Sequence, residues 1–87
     1  MKIKKGFMVR EIAGQWIVVP IGSRVVEFNG IMTLSESGAI LWKLLENGSE
    51  IDEMVSAILA EYDIDEETAR TDVESFVNDI VSRDLTE

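Results

Sequence analysis

Three amphipathic helical stretches follow one another with only two to four residues between them, and that spacing constrains the fold more than any other feature of the chain. Connections this short force consecutive helices to pack on each other. The clearest stretch carries Ile51, Met54, Val55, Ile58, Leu59 and Tyr62, at offsets 0, 3, 4, 7, 8 and 11. Those offsets trace one face of a 3.6-residue period. Before it, Ile40, Leu41, Leu44 and Leu45 form a stripe with Trp42 beside it. Ser35 is the expected N-cap of that helix, and Asn47-Gly48 its end, with Gly48 at the left-handed position after the helix. Ser49, with Asp52 three residues on, is the expected cap of the second helix. Asp65 should cap the third, where Glu66 and Glu67 favour the positive end of the helix. Ala69, Val73, Phe76, Val77 and Ile80 form the third stripe, which ends near Arg83 after roughly 27 Å at 1.5 Å per residue.

The first third of the chain reads as β structure. Residues 7–12 and the β-branched, aromatic run 15–19 suggest a hairpin about a turn at Ala13-Gly14-Gln15. Pro20 lacks an N–H and should end its strand or lie on an edge. Residues 21–28 are compatible with a helical turn or with a further strand. Asn29-Gly30 is a turn signal, and Ile31-Met32-Thr33-Leu34 reads as a short third strand. Ile31 and Thr33 point to one face of it, Met32 and Leu34 to the other. The expected fold class is α+β, winged helix-turn-helix-like: an N-terminal three-stranded antiparallel sheet followed by three helices. Eighty-seven residues suit a single domain, 1–87, with residues 1–5 expected to be flexible.

Charge separates the functions that share this shape. Residues 1–30 carry five bases and two acids, and residues 31–87 carry three bases and fifteen acids, net −12. Phosphate neutralisation supplies most non-specific DNA affinity. A recognition helix presenting Glu66, Glu67, Asp72, Glu74 and Asp79 against Arg70 and Arg83 has the wrong sign for it. A winged-helix nucleic-acid-binding regulator is therefore the second reading, behind a peptide binder. A structural subunit that pairs through its own sheet edge is the third. No apolar run approaches the roughly 20 residues needed to cross a bilayer, and the basic start lacks the apolar stretch of a signal peptide. A cytoplasmic protein with no membrane partner is expected.

Catalysis and metal binding find little to work with. The chain has no cysteine and no histidine, which removes thiolate chemistry, the commonest metal ligand and the commonest general base near neutral pH. Seven serines without histidine make no ordinary triad. Asp63, Asp65 and Glu67 alternate as in a calcium loop, but the glycine that loop needs at its sixth position is missing. Helix capping accounts for Asp65. An acyl carrier is disfavoured by the opening strands and by a second helix that starts Gly48-Ser49-Glu50-Ile51. No catalytic residue, metal or cofactor is expected.

The stretch from Phe28 through Asn29-Gly30-Ile31-Met32-Thr33-Leu34-Ser35-Glu36-Ser37-Gly38-Ala39-Ile40-Leu41 to Trp42 resembles the signature of the PqqD-like proteins, named for the D protein of pyrroloquinoline quinone biosynthesis. Val18-Val19-Pro20-Ile21-Gly22 before it, and Glu61-Tyr62-Asp63-Ile64-Asp65 with Asp72-Val73 and Phe76-Val77 after it, extend the likeness over about residues 7–83. Ser35 stands where the family usually has asparagine; both cap helices.

The resemblance implies a non-catalytic recognition element for ribosomally made, post-translationally modified peptides. Such an element binds the leader region of a precursor peptide and presents it to a modifying enzyme, often a radical S-adenosylmethionine enzyme. It implies that the leader adds as a strand to the third strand and packs against the third helix. On this chain the edge would be Gly30, Ile31, Met32, Thr33 and Leu34, and the helix wall Val73, Phe76, Val77 and Ile80. The charge asymmetry adds a hypothesis: basic leader residues favoured beside the acidic third helix, acidic ones beside the basic N-terminus.

The charge argument predicts that duplex DNA titrated at 50 mM and 200 mM salt shows no salt-steep binding. A DNA binder making several phosphate contacts loses about 10³-fold or more in affinity across that range, and such a slope would reverse the ranking.

Overall fold

The computed structural model describes residues 1–22 and 32–87. In chain order the elements are β1 (Phe7–Ile12), β2 (Gln15–Pro20), β3 (Met32–Leu34), α1 (Glu36–Glu46), α2 (Ile51–Glu61) and α3 (Glu66–Ser82). The strands form one antiparallel sheet in the order β1-β2-β3. The architecture is the α+β arrangement expected. The Asn29-Gly30 turn, Gly30, Ile31 and the alternatives for residues 23–28 lie outside the described residues.

The hairpin turn is tighter than expected. Gln15 already pairs with Ile12, which leaves Ala13 and Gly14 as the two turn residues, at φ +53° and +79°. Positive φ at both positions is what a type I′ turn requires, and its twist matches that of the flanking strands. Gly14 adopts it freely; Ala13 does so against its Cβ. Pro20 closes β2 opposite Phe7, so its missing N–H falls at the strand end.

Helix stripes and sheet meet in one core. Trp42, Leu45, Met54, Val73 and Ile80 are fully or almost fully buried, together with Val18 and Met32 from the sheet. Each such side chain contributes roughly 1.5–3 kcal/mol of burial. α2 packs on α3, and α1 on both α2 and β3. Arg70 of α3 reaches Asp52 of α2 at 3.0 Å. The buried face of α1 is rotated from the expected stripe: Gly38, Ala39, Leu41, Trp42 and Leu45 are buried, while Ile40 and Leu44 are only partly so. Trp42 meets Phe7 edge to face, ring centroids 6.2 Å apart. Its indole N–H is buried with no hydrogen-bond partner among the described residues, and an unpaired buried donor costs about 1–3 kcal/mol that the ring's burial must offset. Leu59 is 36% exposed despite its place in the α2 pattern.

Two of the three expected caps form. Ser35 Oγ accepts from Gly38 N–H at 3.1 Å, and Asp65 Oδ1 from Thr68 N–H at 2.7 Å. The α2 cap is Glu50, not Ser49. Glu53 reaches back to accept from Glu50 N–H at 2.9 Å. Ser49 is buried, and its N–H donates to Met1 O at 2.9 Å. That tertiary bond holds Ser49 under the chain start and moves the cap one residue on.

Residues 1–5 run against the body of the protein rather than away from it. Ile3 is buried and bridges Thr86. Ile3 N–H donates to Leu45 O and Lys4 N–H to Leu85 O. Lys4 Nζ lies 3.0 Å from Asp84. Part of the basic segment is thereby paired with the acidic end of the chain.

Relieving the Ala13 backbone should stabilise the fold. Ala13→Asn, which keeps the turn and tolerates positive φ, is expected to raise unfolding free energy by about 0.5 kcal/mol in urea titration. A lower midpoint would contradict the I′ assignment.

Candidate functional site

β3 is paired on one side among the described residues, through Trp16↔Leu34, Ile17↔Thr33 and Val18↔Met32. Hydrogen-bonded and non-bonded pairs alternate along an antiparallel ladder. The two-residue turn makes Ile12↔Gln15 a bonded pair, so Arg10↔Ile17 is bonded too, and the polar groups of Ile17 face β1. The groups of Trp16 and Val18 then face β3 and engage Leu34 and Met32. Thr33 is left with its N–H and C=O directed away from β2, toward the free edge. Its side chain is exposed, Met32 is buried and Leu34 half-buried. The strand is held by its helix-side residues, while its outward backbone groups have no strand partner among the described residues.

Beside this edge lies a groove of about 650 Å³. The start of α1 supplies Ser35, Ser37, Gly38 and Leu41. Ile58, Tyr62 and Ile64 come from the end of α2 and the segment after it, and Asp72, Ser75, Phe76 and Asp79 from α3. Gly38 joins the walls. A Cβ at that position would sit 3.5 Å from Leu34 Cβ and 3.6 Å from Phe76 Cε1. Any larger side chain there would fill the space between strand and helix. Tyr62 OH donates to Glu36 Oε1 at 2.8 Å and ties α2 to the start of α1. That bond, with the Glu36 charge beside it, raises the Tyr62 phenol above its ordinary value.

The groove is apolar in its depth and acidic at its rim. Asp79 is held by Arg83 at 3.2 Å, and no ion pair engages Asp72 among the described residues. Asp52 holds Arg70 on the α2 side and raises its guanidinium above the usual value. Arg70 of α3 and Arg83 at its C-terminal cap are therefore both paired with acids, and neither is a free cation for a phosphate backbone. Among the described residues no three His, Cys, Asp or Glu side chains gather as a metal site, and no helix is long and apolar enough to cross a membrane.

The expected site residues fall in different settings. Met32, Thr33 and Leu34 form the edge; Gly30 and Ile31 lie outside the described residues. Phe76 lines the groove. Val73 and Ile80 are 0% exposed and Val77 6%, so they support Phe76 from the core side and show almost no surface to a ligand. Sequence reasoning missed Gly38, Tyr62, Ile58 and Ile64 as groove residues. One signal was present: a glycine inside the first turn of a helix, where it costs helix stability, suggests that something approaches closely.

The family described as Coenzyme PQQ synthesis protein D (PqqD) matches residues 15–85. No curated protein sequence matches the chain. Among solved structures the fold is similar to that of TbiB1 in complex with the TbiA(beta) leader peptide, at 28% identity and a TM-score of 0.77, covering 100% of this chain and 95% of that one. It is also similar to lasso peptide synthetase B1 complexed with the leader peptide, at 13% identity and a TM-score of 0.75, covering 99% and 95%. At the lower identity the likeness speaks for the fold alone.

The start of the groove-lining helix should respond to acid. Hydrogen bonding from Thr68, through its side chain first and its backbone N–H second, lowers Asp65 below the ordinary carboxylate value. Its contribution to stability is therefore present above the unfolded-state pKa and lost as pH falls through the folded one. Asp65→Asn should destabilise most at neutral pH, with the gap from wild type closing on acidification, as read by urea midpoints at pH 7 and pH 3. A gap that widens in acid would contradict the assignment.

Proposed function

This chain is a member of the PqqD family, and on that premise we propose that it is a non-catalytic adapter. It binds the leader region of a ribosomally synthesised precursor peptide by strand addition to β3. It then presents the peptide to a modifying enzyme, which among the proteins it resembles is often a radical S-adenosylmethionine enzyme. The observation that carries this reading is the free edge at Thr33 beside a groove walled by Phe76. The likeness to TbiB1, a protein solved with a leader peptide, supports it.

The physical division of labour follows from that geometry. An added strand pairs with the outward N–H and C=O of Thr33, and main-chain bonds give affinity without demanding a sequence. Its helix-side side chains enter the groove against Phe76, Ile58 and Ile64, and these contacts select among peptides. Met32 and Leu34 fix the edge; Val73, Val77 and Ile80 fix the helix behind the wall. Ordering a flexible leader has a cost, so affinity of about −8 to −9 kcal/mol is expected, near micromolar. Such a role needs no cofactor, and it belongs in the cytosol, where ribosomal peptides are made.

A titration of isotope-labelled protein with the leader of a co-encoded small peptide should shift residues 32–34 and 72–79. Thr33→Pro removes the outward donor while leaving the bonds to β2 in place. It should weaken binding about tenfold or more, with the thermal midpoint checked alongside. Saturating leader with no shifts at the edge, or a Thr33→Pro protein that stays folded and binds as wild type, would end the proposal.

A further inference from the structure

A second cavity, of about 440 Å³, adjoins the first at the Leu34 end of β3, and Ser35 lines both. Its walls include Glu11 and Trp16 of the hairpin, Thr33 and Leu34 of β3, and Ser35 and Glu36 at the start of α1. Glu11, Trp16 and Leu34 share one face of the sheet, because Glu11 pairs with Trp16 and Trp16 with Leu34. Two carboxylates thus flank a half-buried indole across the sheet from the Leu34 end of β3. Neither has a cation partner: Glu36 is bonded to the neutral Tyr62 hydroxyl, and Glu11 has no ion pair among the described residues.

The indole already attracts a cation. Lys43 Nζ lies 4.9 Å from the Trp16 ring centroid, in the range where an ammonium is drawn to a ring face. Lys43 is not among the cavity walls. Among the described residues, the two cavities together are lined by the acids Glu11, Glu36, Asp72 and Asp79 and by no lysine or arginine. Of the N-terminal bases, Lys4 is paired with Asp84, and Lys2 lines a separate hollow with Asn47 and Glu87.

We infer that the peptide this site takes is cationic as well as extended: an apolar side chain fills the Phe76 groove, and a nearby lysine or arginine sits between Trp16, Glu11 and Glu36. This rests on the adapter reading and specifies its ligand class. It also makes the charge hypothesis one-sided, since no base among the described residues lines either cavity to receive an acidic leader residue. Helix-side residues alternate along an added strand at about 7 Å intervals, so base and anchor fall within about four residues of each other.

The test uses an mRNA-displayed library of random dodecapeptides, selected on immobilised wild-type protein, on Glu11→Gln/Glu36→Gln and on Thr33→Pro, each checked for folding by circular dichroism. Glutamine keeps the shape of both side chains and can still accept from Tyr62. Wild type is expected to enrich peptides with Lys or Arg within four residues of an aliphatic or aromatic residue. The double variant should keep the anchor and lose the base preference. Thr33→Pro should enrich neither. Replacing the base in a selected peptide by alanine should weaken wild-type binding roughly 5- to 10-fold and the double variant's by less than twofold. Enrichment of neutral or acidic peptides by wild type, or a base preference that survives in the double variant, overturns the cationic specificity and leaves strand addition standing. Enrichment of nothing by wild type overturns both.

Discussion

A β-strand has hydrogen-bonding groups on two sides, and β3 has a strand partner on only one among the described residues. The outward N–H and C=O of Thr33 are the groups on which the proposed strand addition turns. An exposed edge is ordinarily a liability, because it templates pairing with any extended chain. Here the liability is confined. The described part of the strand, Met32–Leu34, turns only the N–H and C=O of Thr33 outward, too few main-chain groups to hold a guest alone. Affinity must be completed by side chains in the adjoining groove, and that requirement turns a sticky edge into a selective one.

The groove exists because of how the helices are held. Trp42 and Leu45 bury α1 between sheet and helices, which sets the start of that helix directly after β3. Gly38 then lets Leu34 and Phe76 approach the same point from opposite sides. Asp65 and the Arg70–Asp52 pair fix the beginning of α3 against α2. These contacts are individually small, and exposed pairs of this kind contribute at most about 1 kcal/mol. Their value lies in placing Phe76. The fully buried neighbours Val73 and Ile80 do the heavier energetic part.

Much of this could be read from residues alone. The strands, the three helices and the caps at Ser35 and Asp65 are local features, set by β-branched runs, a 3.6-residue period and side chains that bond within three residues. What failed to be legible is tertiary. Ser49 has the chemistry of a cap, but its N–H is taken by Met1 O, so Glu50 caps instead. The buried face of α1 includes Trp42 rather than lying beside it, because that helix must meet both the sheet and α2. Residues 1–5 carry charges typical of a loose tail, yet Ile3 is buried beside Leu85 through contacts with the far end of the chain. Of the candidate site, the edge at Met32–Leu34 and Phe76 were visible through the family resemblance. Gly38 and Tyr62 were not, since their roles depend on partners distant in sequence.

Amide hydrogen exchange at Thr33 tests the central claim most directly. In the free protein its N–H should exchange faster than those of Met32 and Leu34, which bond to β2, and saturating leader should slow it to their level. A Thr33 amide already protected in the free protein, or one still exchanging rapidly with leader bound, would contradict strand addition at this edge.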